Sequence, residues 1–484
     1  MNPVSDALYL ALDQGGHSSR ALVADSSGNL VAKAQVSVLT NRCGDEVEQD
    51  PEELAGSLKQ CCQAISDQLG TDRSRILRAG LATQRSSIVC WDANSARSLS
   101  PVLSWQDRRA WQFVDSLTDH ANRIKQITGL VLSPHYGASK LRWCLQELDQ
   151  VKAAYKEGRL VVGPIASFLA RRLTGSKDNY CDPANASRTQ LWDFSSRDWS
   201  DELCGLFEVD KDVLPRSVPT RYSYGDIPIG DYPVSLEVVT GDQSAAIYAF
   251  GEPSLDTVYI NIGTGAFLQW PSGEVPRKLD GMLNSVACQD TSKTEYVIEG
   301  TVNGAGSALT WLGKKHKQTP REMLVEGLEN VKNEAPPYFI NGISGLGSPY
   351  WISDLESRFS KDASVGLKAI AVIESLAFLI CENLNAMRAH GQPINKVLLS
   401  GGLASVDYLC QAIADISGLS VERSSIQEAT AFGILQLLAG QKAPLVESST
   451  QLFESRSDTG ISYRYKAWQQ EMKEILKSQR TDFV

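Results

Sequence analysis

The sequence contains few of the residues that build metal centres. Only five histidines occur in 484 residues, and no two of them stand at an HxH or HExxH spacing. The ten cysteines are scattered along the chain without a CxxC pair. These absences argue against a structural zinc site. They also indicate reduced thiols of the kind that a cytoplasmic protein keeps.

Long runs of basic residues or of apolar residues are also missing. No block of lysine or arginine is long enough to follow a phosphate backbone, and the formal net charge is -10, so neither nucleic acid nor an anionic membrane is expected as a partner. The first apolar run, residues 7–12, is too short for a signal peptide or a membrane anchor. The sequence predicts a cytoplasmic protein of two or three domains that acts on small molecules.

Two common phosphate-binding motifs are absent. The chain has no GxxxxGK followed by Ser or Thr, and no GxGxxG that follows a strand and opens a helix. It does have three other glycine turns, at Gly15-Gly16, Gly263-Thr264-Gly265 and Gly401-Gly402. Glycine lets backbone N–H groups face a ligand closely. One such turn alone is more typical of a hairpin that needs positive φ, but three together predict a nucleotide held between two similar halves.

Hydrophobic periodicity predicts strands that alternate with helices in both halves, which indicates an α/β protein. A strand, glycine turn and strand at 256–270 repeat the arrangement of the opening hairpin, whereas 212–235 is rich in proline, glycine and tyrosine and is predicted to be a connector. The predicted strands are 7–12, 20–25, 30–38, 76–83 and 86–91, and the predicted helices are 51–69, 107–129, 139–158 and 427–438, with a strand, glycine pair and helix at 396–418.

Two aspartates stand where strands are predicted to end. Asp13 follows the first strand and could hold a magnesium ion through water. Asp242 lies between a β-rich run and a helix start, where it could be an N-cap or a catalytic carboxylate. Both roles are compatible, since a helix N-terminus favours an ionised carboxylate.

Eleven short motifs together resemble the FGGY family of carbohydrate kinases, and within it the glycerol kinase branch, over nearly the whole chain. They are ALDQG with SSRA (11–21), VEQDPEEL (47–54), TQR (83–85), WQDRR (105–109), TGLV followed by SP (128–134), NASRTQLWD (185–193), GDQSAA (241–246), GTGAF (263–267), GLGSPYW (345–351), SGG (400–402) and EATAFG (428–433).

The resemblance implies two actin-like (ribonuclease H-like) domains flanking a nucleotide cleft. Residues 1–240 would form the N-terminal domain, with the acceptor site and the phosphate loop, and residues 241–484 the nucleotide-binding C-terminal domain. The implied reaction transfers a phosphoryl group from ATP, with Mg²⁺, to a small polyol or sugar, and Asp242 would be the general base. A homodimer is one candidate assembly.

The resemblance also assigns binding residues. Asp13 would organise the metal as well as the nucleotide. The residues implied for ATP are Asp13, Gly15, Gly16, His17, Ser18, Arg20, Thr264, Gly265, Gly306, Thr310 and Gly402. Those implied for the acceptor are Arg85, Ser86, Trp105, His135, Tyr136, Asp242, Gln243 and Phe267.

The chain departs from the glycerol kinase pattern at several of these positions. Gly16 and His17 replace a threonine pair, Ser86 replaces a glutamate, and His135 stands where the family has a tyrosine, with Tyr136 beside it. These departures leave glycerol, a pentulose and a pentitol open as acceptors. A sugar-binding regulator that keeps the fold without efficient transfer is a further alternative, and an actin-like filament ATPase is a third.

Overall fold

The computed structural model describes residues 7–445, 450–457 and 460–481. Two large sheets organise these residues, one in each half of the chain. The first has six strands in the order β14-β15-β6-β1-β2-β3, and the second has seven in the order β18-β19-β17-β16-β22-β23-β24. A five-stranded sheet, β4-β5-β8-β7-β9, stands beside the first.

In the first half, the strands are β1 (Leu8–Gln14), β2 (Ser18–Asp25), β3 (Leu30–Ser37), β4 (Asn41–Cys43), β5 (Glu46–Gln49), β6 (Ile76–Thr83), β7 (Ile88–Asp92), β8 (Val102–Leu103), β9 (Leu160–Pro164), β10 (Tyr180–Cys181), β11 (Trp192–Asp193), β12 (Asp198–Trp199), β13 (Arg216–Ser217), β14 (Asp226–Ile229) and β15 (Tyr232–Gly241). The helices are α1 (Pro51–Leu69), α2 (Trp111–Ser116), α3 (Ala121–Thr128), α4 (Gly137–Glu147), α5 (Asp149–Lys156), α6 (Ile165–Thr174), α7 (Pro183–Ala186), α8 (Asp201–Leu206) and α9 (Asp242–Ala246).

In the second half, the strands are β16 (Thr257–Ile262), β17 (Ala266–Gly273), β18 (Leu283–Gln289), β19 (Thr294–Val302), β20 (Phe339–Ile340), β21 (Arg358–Phe359), β22 (Lys396–Ser400), β23 (Ser420–Ser424) and β24 (Thr450–Phe453). The helices are α10 (Gly306–His316), α11 (Pro320–Asn330), α12 (Val365–Arg388), α13 (Asp407–Ser417), α14 (Ala429–Ala439) and α15 (Gly460–Thr481).

Strand β1 is buried along its whole length because helices cover both faces of its sheet. Its alternate residues divide between two apolar clusters. Leu10 packs in the cluster that contains Leu58 of α1. Ala11 packs in the cluster that contains Ile434 of α14. Helix α1 begins as the sequence predicts, since the Asp50 carboxylate accepts backbone hydrogen bonds at its N-terminus.

The predicted repeat of the opening hairpin is confirmed by the strand pairing. In the first half β1 is antiparallel to β2 and parallel to β6. In the second half β16 is antiparallel to β17 and parallel to β22. The glycine turns therefore occupy equivalent places in two similar sheets, at the carboxyl ends of β1 and β16.

The prediction of a connector over 212–235 is wrong for its second part. Strands β14 and β15 form a hairpin there, and β15 adds a parallel strand beside β6. Pro228 and Pro233 face each other across this hairpin. Because β14 lies at the edge of its sheet, a proline there removes few hydrogen bonds between strands. The proline content alone therefore predicted a connector where the chain forms a hairpin.

Three predicted boundaries also need correction. The helical pattern over 107–129 is divided into α2, a short 3₁₀ turn and α3, and that over 139–158 into α4 and α5. The strand predicted at 86–91 begins at Ile88, because Ser86 has a positive φ of 64° that extended backbone cannot adopt. Within the described ranges, none of the helices combines the length and apolar character needed to cross a bilayer.

Candidate active site

Three parallel strands bring chemically important residues to one edge of the first sheet. Strands β1, β6 and β15 run in the same direction, and Gln14, Thr83 and Gly241 stand at matching positions at their ends. Asp13, Arg85 and Asp242 therefore meet where the three strands end. The carboxyl edge of parallel strands is the usual place for a ligand in open α/β sheets.

Asp13 is buried at this edge, with 5% of its surface exposed. Its carboxylate lies 3.5 Å from the guanidinium of Arg20, which also reaches Glu428 at 3.2 Å. Burial, followed by the charge of Asp242, raises the pKa of Asp13 to about 7. The two carboxylates thus face the same space. Such a site suits Mg²⁺, which proteins often hold through one or two carboxylates together with substrate phosphates.

In the described part of the chain, no three His, Cys, Asp or Glu side chains gather as a larger metal site.

Asp242 is the first residue of α9, and Gly241 occupies the N-cap position. The N-cap role that the sequence left open for Asp242 is therefore wrong. The Asp242 Oδ1 accepts a hydrogen bond from the Gln243 N–H at 2.7 Å and lies 3.8 Å from Nε of Arg85. Burial raises the pKa of Asp242, and the Arg85 charge opposes that rise. This carboxylate is oriented, partly exposed and more basic than a surface aspartate.

Arg85 belongs to a buried ionic cluster that spans both halves of the molecule. Its Nη1 lies 2.5 Å from Oε1 of Glu299, a residue of β19, and Nη1 of Arg188 lies 3.0 Å from Oε2 of the same carboxylate. All three side chains are at most 7% exposed. Burial alone would raise the pKa of Glu299, but the two guanidinium groups outweigh it and hold that pKa below its usual value. Arg85 is therefore held in a buried ion pair and not at the surface.

Sequence reasoning missed Glu299 and Arg188 as members of the site. A signal for Glu299 was present, since the run YVIEGTV places a single carboxylate among β-branched and apolar residues, a composition typical of a buried strand. Arg188 lies within the NASRTQLWD motif, but nothing in its spacing shows a carboxylate partner 111 residues further along the chain.

Aromatic rings form a wall next to this cluster. The ring of His135 lies 5.6 Å from that of Trp105 and 5.0 Å from that of Tyr136, measured between centroids. The guanidinium of Arg188 stands over the Tyr136 ring at 5.1 Å. Burial and the nearby charge of Arg108 hold the pKa of His135 well below its usual value, so this imidazole is neutral. Both His135 and Tyr136 thus belong to the same group of rings.

Three buried polar atoms of these site residues lack a hydrogen-bond partner among the described residues. They are the hydroxyl of Ser86, the amide oxygen of Gln243 and Nε of Arg188. Buried polar groups in proteins are almost always paired, and exceptions call for an explanation. A hydroxyl-bearing ligand next to Asp242 would supply the missing partners.

Lys140, which was not predicted to be a site residue, is hydrogen-bonded to three loops of the site. The fully buried ammonium of Lys140 donates hydrogen bonds to the carbonyls of Ser86, Ser104 and His135, at 2.7, 2.9 and 2.8 Å. Burial lowers the pKa of Lys140 well below its usual value. The signal in the sequence was its position four residues before Cys144, on the apolar face of α4.

The first glycine turn presents free backbone donors. The Gly15 N–H closes the turn on the carbonyl of Ser18, and the Gly16 carbonyl accepts hydrogen bonds from Thr40 and Gln49. Neither glycine has a positive φ, so the alternative of a hairpin that requires it is wrong. No described group accepts a hydrogen bond from the N–H of Gly16 or of His17, and His17 is exposed at the tip.

The C-terminal half brings its own predicted residues together around the second turn. The Gly306 N–H, at the start of α10, donates to the Gly263 carbonyl, and a Cβ on Gly306 would lie 2.9 Å from that oxygen. The hydroxyl of Thr310 donates to the Gly306 carbonyl at 2.9 Å. Gly401 has a φ of 91°, and its missing Cβ lets the chain before Gly402 approach the end of β16. Thr264, Gly265 and Gly402 lie at this same end.

The two groups are connected through strand β17 rather than by direct contact. The strand begins one residue after Gly265 and passes Phe267. At Gln269 it reaches the ionic cluster, where the amide donates to Glu299 at 3.4 Å. Within the described residues, no hydrogen bond or ion pair joins Thr264 or Gly402 to Asp13. The predicted residues thus form two groups, one at each sheet, with β17 between them.

The two halves of the sequence each match a known type of domain. The sequence matches the N-terminal domain of the FGGY family of carbohydrate kinases over residues 8–232 and the C-terminal domain of that family over residues 258–440. It is 32% identical to a glycerol kinase of Ectopseudomonas mendocina, covering 96% of this chain and 98% of that one. It is also 32% identical to glycerol kinase 1 of Pseudomonas aeruginosa, covering 90% of each chain.

Solved structures share the fold. The glycerol kinase of Plasmodium falciparum with ADP superposes with a TM-score of 0.86 at 23% identity, covering 98% of each chain. A xylulose kinase from Brucella ovis superposes with a TM-score of 0.85 at 23% identity, covering 98% of this chain and 99% of that one. The predicted two-domain fold is confirmed by these superpositions. The chain therefore belongs to the FGGY family of carbohydrate kinases, phosphotransferases whose acceptor is an alcohol group.

Proposed function

We propose that this protein transfers the γ-phosphoryl group of ATP to a hydroxyl group of a small polyol or sugar, with Asp242 as the general base. The observation that carries the proposal is the convergence of Asp13, Arg85 and Asp242 at the ends of three parallel strands. Phosphoryl transfer asks a protein mainly for positioning and for stabilisation of charge, and this edge offers both.

The proposed base has suitable properties. Its raised pKa brings Asp242 closer to neutral pH, where a carboxylate accepts a proton more readily. The hydroxyl of the acceptor would lose its proton to Asp242 while its oxygen forms a bond to the γ-phosphorus. ADP would leave with the electrons of the broken bond. Arg85 keeps the carboxylate in place from 3.8 Å.

Asp13 is the residue that would hold Mg²⁺ in this proposal, and its burial beside Asp242 supports that role. When bound, the ion supplies positive charge to the phosphate groups. Arg20, which contacts Asp13 and Glu428, would contribute a second positive charge beside the same phosphates. The N–H groups of Gly16 and His17, for which no described group is an acceptor, would bind phosphate oxygens directly.

The second turn is proposed as the nucleotide side of the cleft. Thr264 and Gly265 would contact phosphates, and Gly306, Thr310 and Gly402 would border the adenosine. Support comes from their common place at the end of β16, together with the ADP that accompanies the glycerol kinase of Plasmodium falciparum in its crystal structure. Residues 1–240 and 241–484 remain the proposed domains, and a cytoplasmic homodimer remains a prediction.

The proposed acceptor pocket consists of Arg85, Ser86, Trp105, His135, Tyr136, Gln243 and Phe267 around Asp242. Among the similar proteins are glycerol kinases and a xylulose kinase, so both a C3 polyol and a pentulose or pentitol are candidates.

The experiment that tests this function is a coupled assay for ADP with Mg-ATP and a panel of C3 to C5 polyols and ketoses. Turnover of at least one compound is expected, and the Asp242→Asn variant should lower kcat by about 10²- to 10⁴-fold, the usual contribution of a general base. Circular dichroism must show that the variant is folded. No turnover by folded wild-type protein, or full activity of the variant, would contradict the proposal.

A further inference from the structure

Three buried glutamines form a hydrogen-bonded network next to the first glycine turn. Gln14 is the last residue of β1, Gln49 is the last residue of β5, and Gln84 directly follows β6. Each of the three is at most 2% exposed. Burying an amide group is costly unless hydrogen bonds compensate for the lost water. The partners of these amides therefore show what the network holds in place.

Hydrogen bonds fix the orientation of each amide group. Nε2 of Gln49 donates to the carbonyl of Gly16 at 3.0 Å, and because a carbonyl can only accept, Oε1 of Gln49 must face the other way. That Oε1 accepts from Nε2 of Gln84 at 2.7 Å, and the same Nε2 donates to Oε1 of Gln14 at 3.3 Å. Nε2 of Gln14 donates to the carbonyl of Gly15 at 2.6 Å. The network thus has an amide donor for each carbonyl of the glycine turn.

Thr40 adds a further donor to the same turn. Its hydroxyl donates to the carbonyl of Gly16 at 2.9 Å and accepts from Nε2 of Gln49 at 3.0 Å. The Gly16 carbonyl is therefore held by two side chains, which are themselves hydrogen-bonded to each other. Both carbonyls of the turn face the side on which the glutamines lie.

The held carbonyls determine where the N–H groups of the turn point. Both peptide bonds of the turn are trans, and in a trans peptide the C=O of one residue and the N–H of the next point in opposite directions. The N–H groups of Gly16 and His17 therefore point away from the glutamines. Among the described residues, no group accepts a hydrogen bond from either of them. They are donors with a fixed direction and without a protein acceptor.

We propose that Gln14, Gln49 and Gln84 are positioning residues that act as one unit and aim the N–H groups of Gly16 and His17 at the phosphate groups of ATP. This inference rests on the proposed function and deepens it, since it names the residues that shape the phosphate site. Donors that are already oriented stabilise the developing charge without reorganisation. A glycine peptide would otherwise rotate easily, because glycine has no Cβ to restrict it.

The Gln49→Met variant tests the inference in the coupled assay. Methionine fills a similar volume but cannot donate to the carbonyl of Gly16. Because small misplacements of a binding group can cost much activity, kcat/KM for ATP should fall at least about tenfold. KM for the acceptor should change less than about twofold, since the acceptor residues lie elsewhere. No decrease in kcat/KM for ATP, or an equal rise in both KM values, would overturn the inference while the proposed kinase function stands.

Gln436→Met is the matched control. Gln436 of α14 is also buried, and its Nε2 likewise donates to backbone carbonyls, those of Gln441 and Ala443 at 2.6 and 2.8 Å. It loses the same kind of hydrogen bonds but holds a different loop, so its kcat/KM for ATP should match that of the wild type. An equal decrease in the control would show that lost stability explains the result and would contradict the positioning role.

A second set of variants tests whether the glutamines act together. Gln84→Met should also lower kcat/KM for ATP, and the double variant with Gln49→Met should lose less than the product of the two single losses, because coupled residues are not additive. A loss equal to that product would overturn the single unit. Thr40→Val removes the other donor to the Gly16 carbonyl and should also lower kcat/KM for ATP, so it keeps the test decisive if Gln49→Met does not fold.

If the wild-type protein phosphorylates no acceptor, the proposed function fails, and calorimetry decides the inference by itself. A non-hydrolysable ATP analogue with Mg²⁺ is titrated into wild type, Gln49→Met and Gln436→Met. Binding that is at least about tenfold weaker in Gln49→Met alone supports the inference. Equal affinities in the three proteins, or no binding by the wild type, would overturn it.

Discussion

At the scale of single residues, Gly241 determines where Arg85 can lie. A Cβ at position 241 would overlap with Cγ and Cδ of the arginine side chain. The Gly241→Ala substitution should therefore displace Arg85 from Glu299 and Asp242. We expect a loss of about 1–3 kcal/mol in the free energy of unfolding, the usual cost of overpacking, together with a decrease in kcat/KM of at least tenfold.

Chemical denaturation and the coupled assay measure both effects. Gly56→Ala is the matched control, because Gly56 lies inside α1 and no heavy atom lies within 4 Å of its added Cβ. Alanine favours a helix over glycine by about 1 kcal/mol, so this control should be neutral or stabilising. A Gly241→Ala protein as stable and active as the wild type would show that Arg85 is not held by this contact.

Single residues also show what the sequence could and could not predict. Asp13 and Asp242 were predicted because each follows a strand that ends in a recognisable motif. Glu299 was missed because its partners, Arg85 and Arg188, are more than 100 residues away along the chain, and no local pattern connects them. Residues of the site whose importance depends on a distant partner could not be predicted from periodicity or spacing.

At the scale of elements, Lys140 of α4 holds three loops in register. Its ammonium is the hydrogen-bond donor to carbonyls in the segments that follow β6, β8 and α3. The Lys140→Met variant would fill a similar volume but leave these buried carbonyls without that donor, at about 1–3 kcal/mol for each group left unpaired. We expect a loss of about 3 kcal/mol or more in stability.

A second readout separates positioning from stability alone. Because the three loops carry Ser86, Trp105 and His135, KM for the acceptor should rise at least tenfold in Lys140→Met, while KM for ATP should change little. Lys152→Met is the control, since its ammonium is half-exposed and, among the described residues, pairs only with exposed Asp149 at 3.4 Å. Equal changes in both KM values would indicate general destabilisation and contradict the positioning role.

Elements with a clear hydrophobic periodicity were predicted well. Elements whose composition and periodicity point to different structures were not. Helix α1 has its predicted limits because an N-cap, a proline at the first position and an apolar stripe all agree. The β14–β15 hairpin was mistaken for a connector because two prolines and a glycine lie in it. Its place at the edge of a sheet, which makes these residues acceptable, is a property of the tertiary structure.

At the scale of the whole molecule, two similar sheets each carry a glycine turn at the carboxyl end of a central strand. The motif order predicted this repeat, since each half opens with a strand, a glycine turn and a second strand. What the sequence could not show is how the halves are joined. In the structure the ionic cluster joins them, since a carboxylate of β19 in the second sheet is bound by two arginines of the first half.

The Glu299→Gln substitution tests whether this ionic cluster holds the two halves together. The substitution would keep the shape of the side chain but leave Arg85 and Arg188 buried without a balancing charge. Removing one partner of a buried ion pair costs about 3–5 kcal/mol, so the free energy of unfolding at pH 7 should fall by about that amount. Glu422→Gln is the control, because its pair with Lys396 is partly exposed, at 3.4 Å, and pairs of that kind contribute about 0–1 kcal/mol.

The effect of Glu299→Gln should depend on pH in a defined direction. The arginines hold the pKa of Glu299 below its ordinary value of 4.5, so its stabilising contribution is fully present above pH 4.5 and is lost as the pH falls through the lower pKa of the folded state. Denaturation curves at a series of pH values should therefore show the difference between wild type and variant shrinking below about pH 4.5. A difference that stays constant, or grows, as the solution is acidified would mean that the charge of Glu299 does not join the two halves.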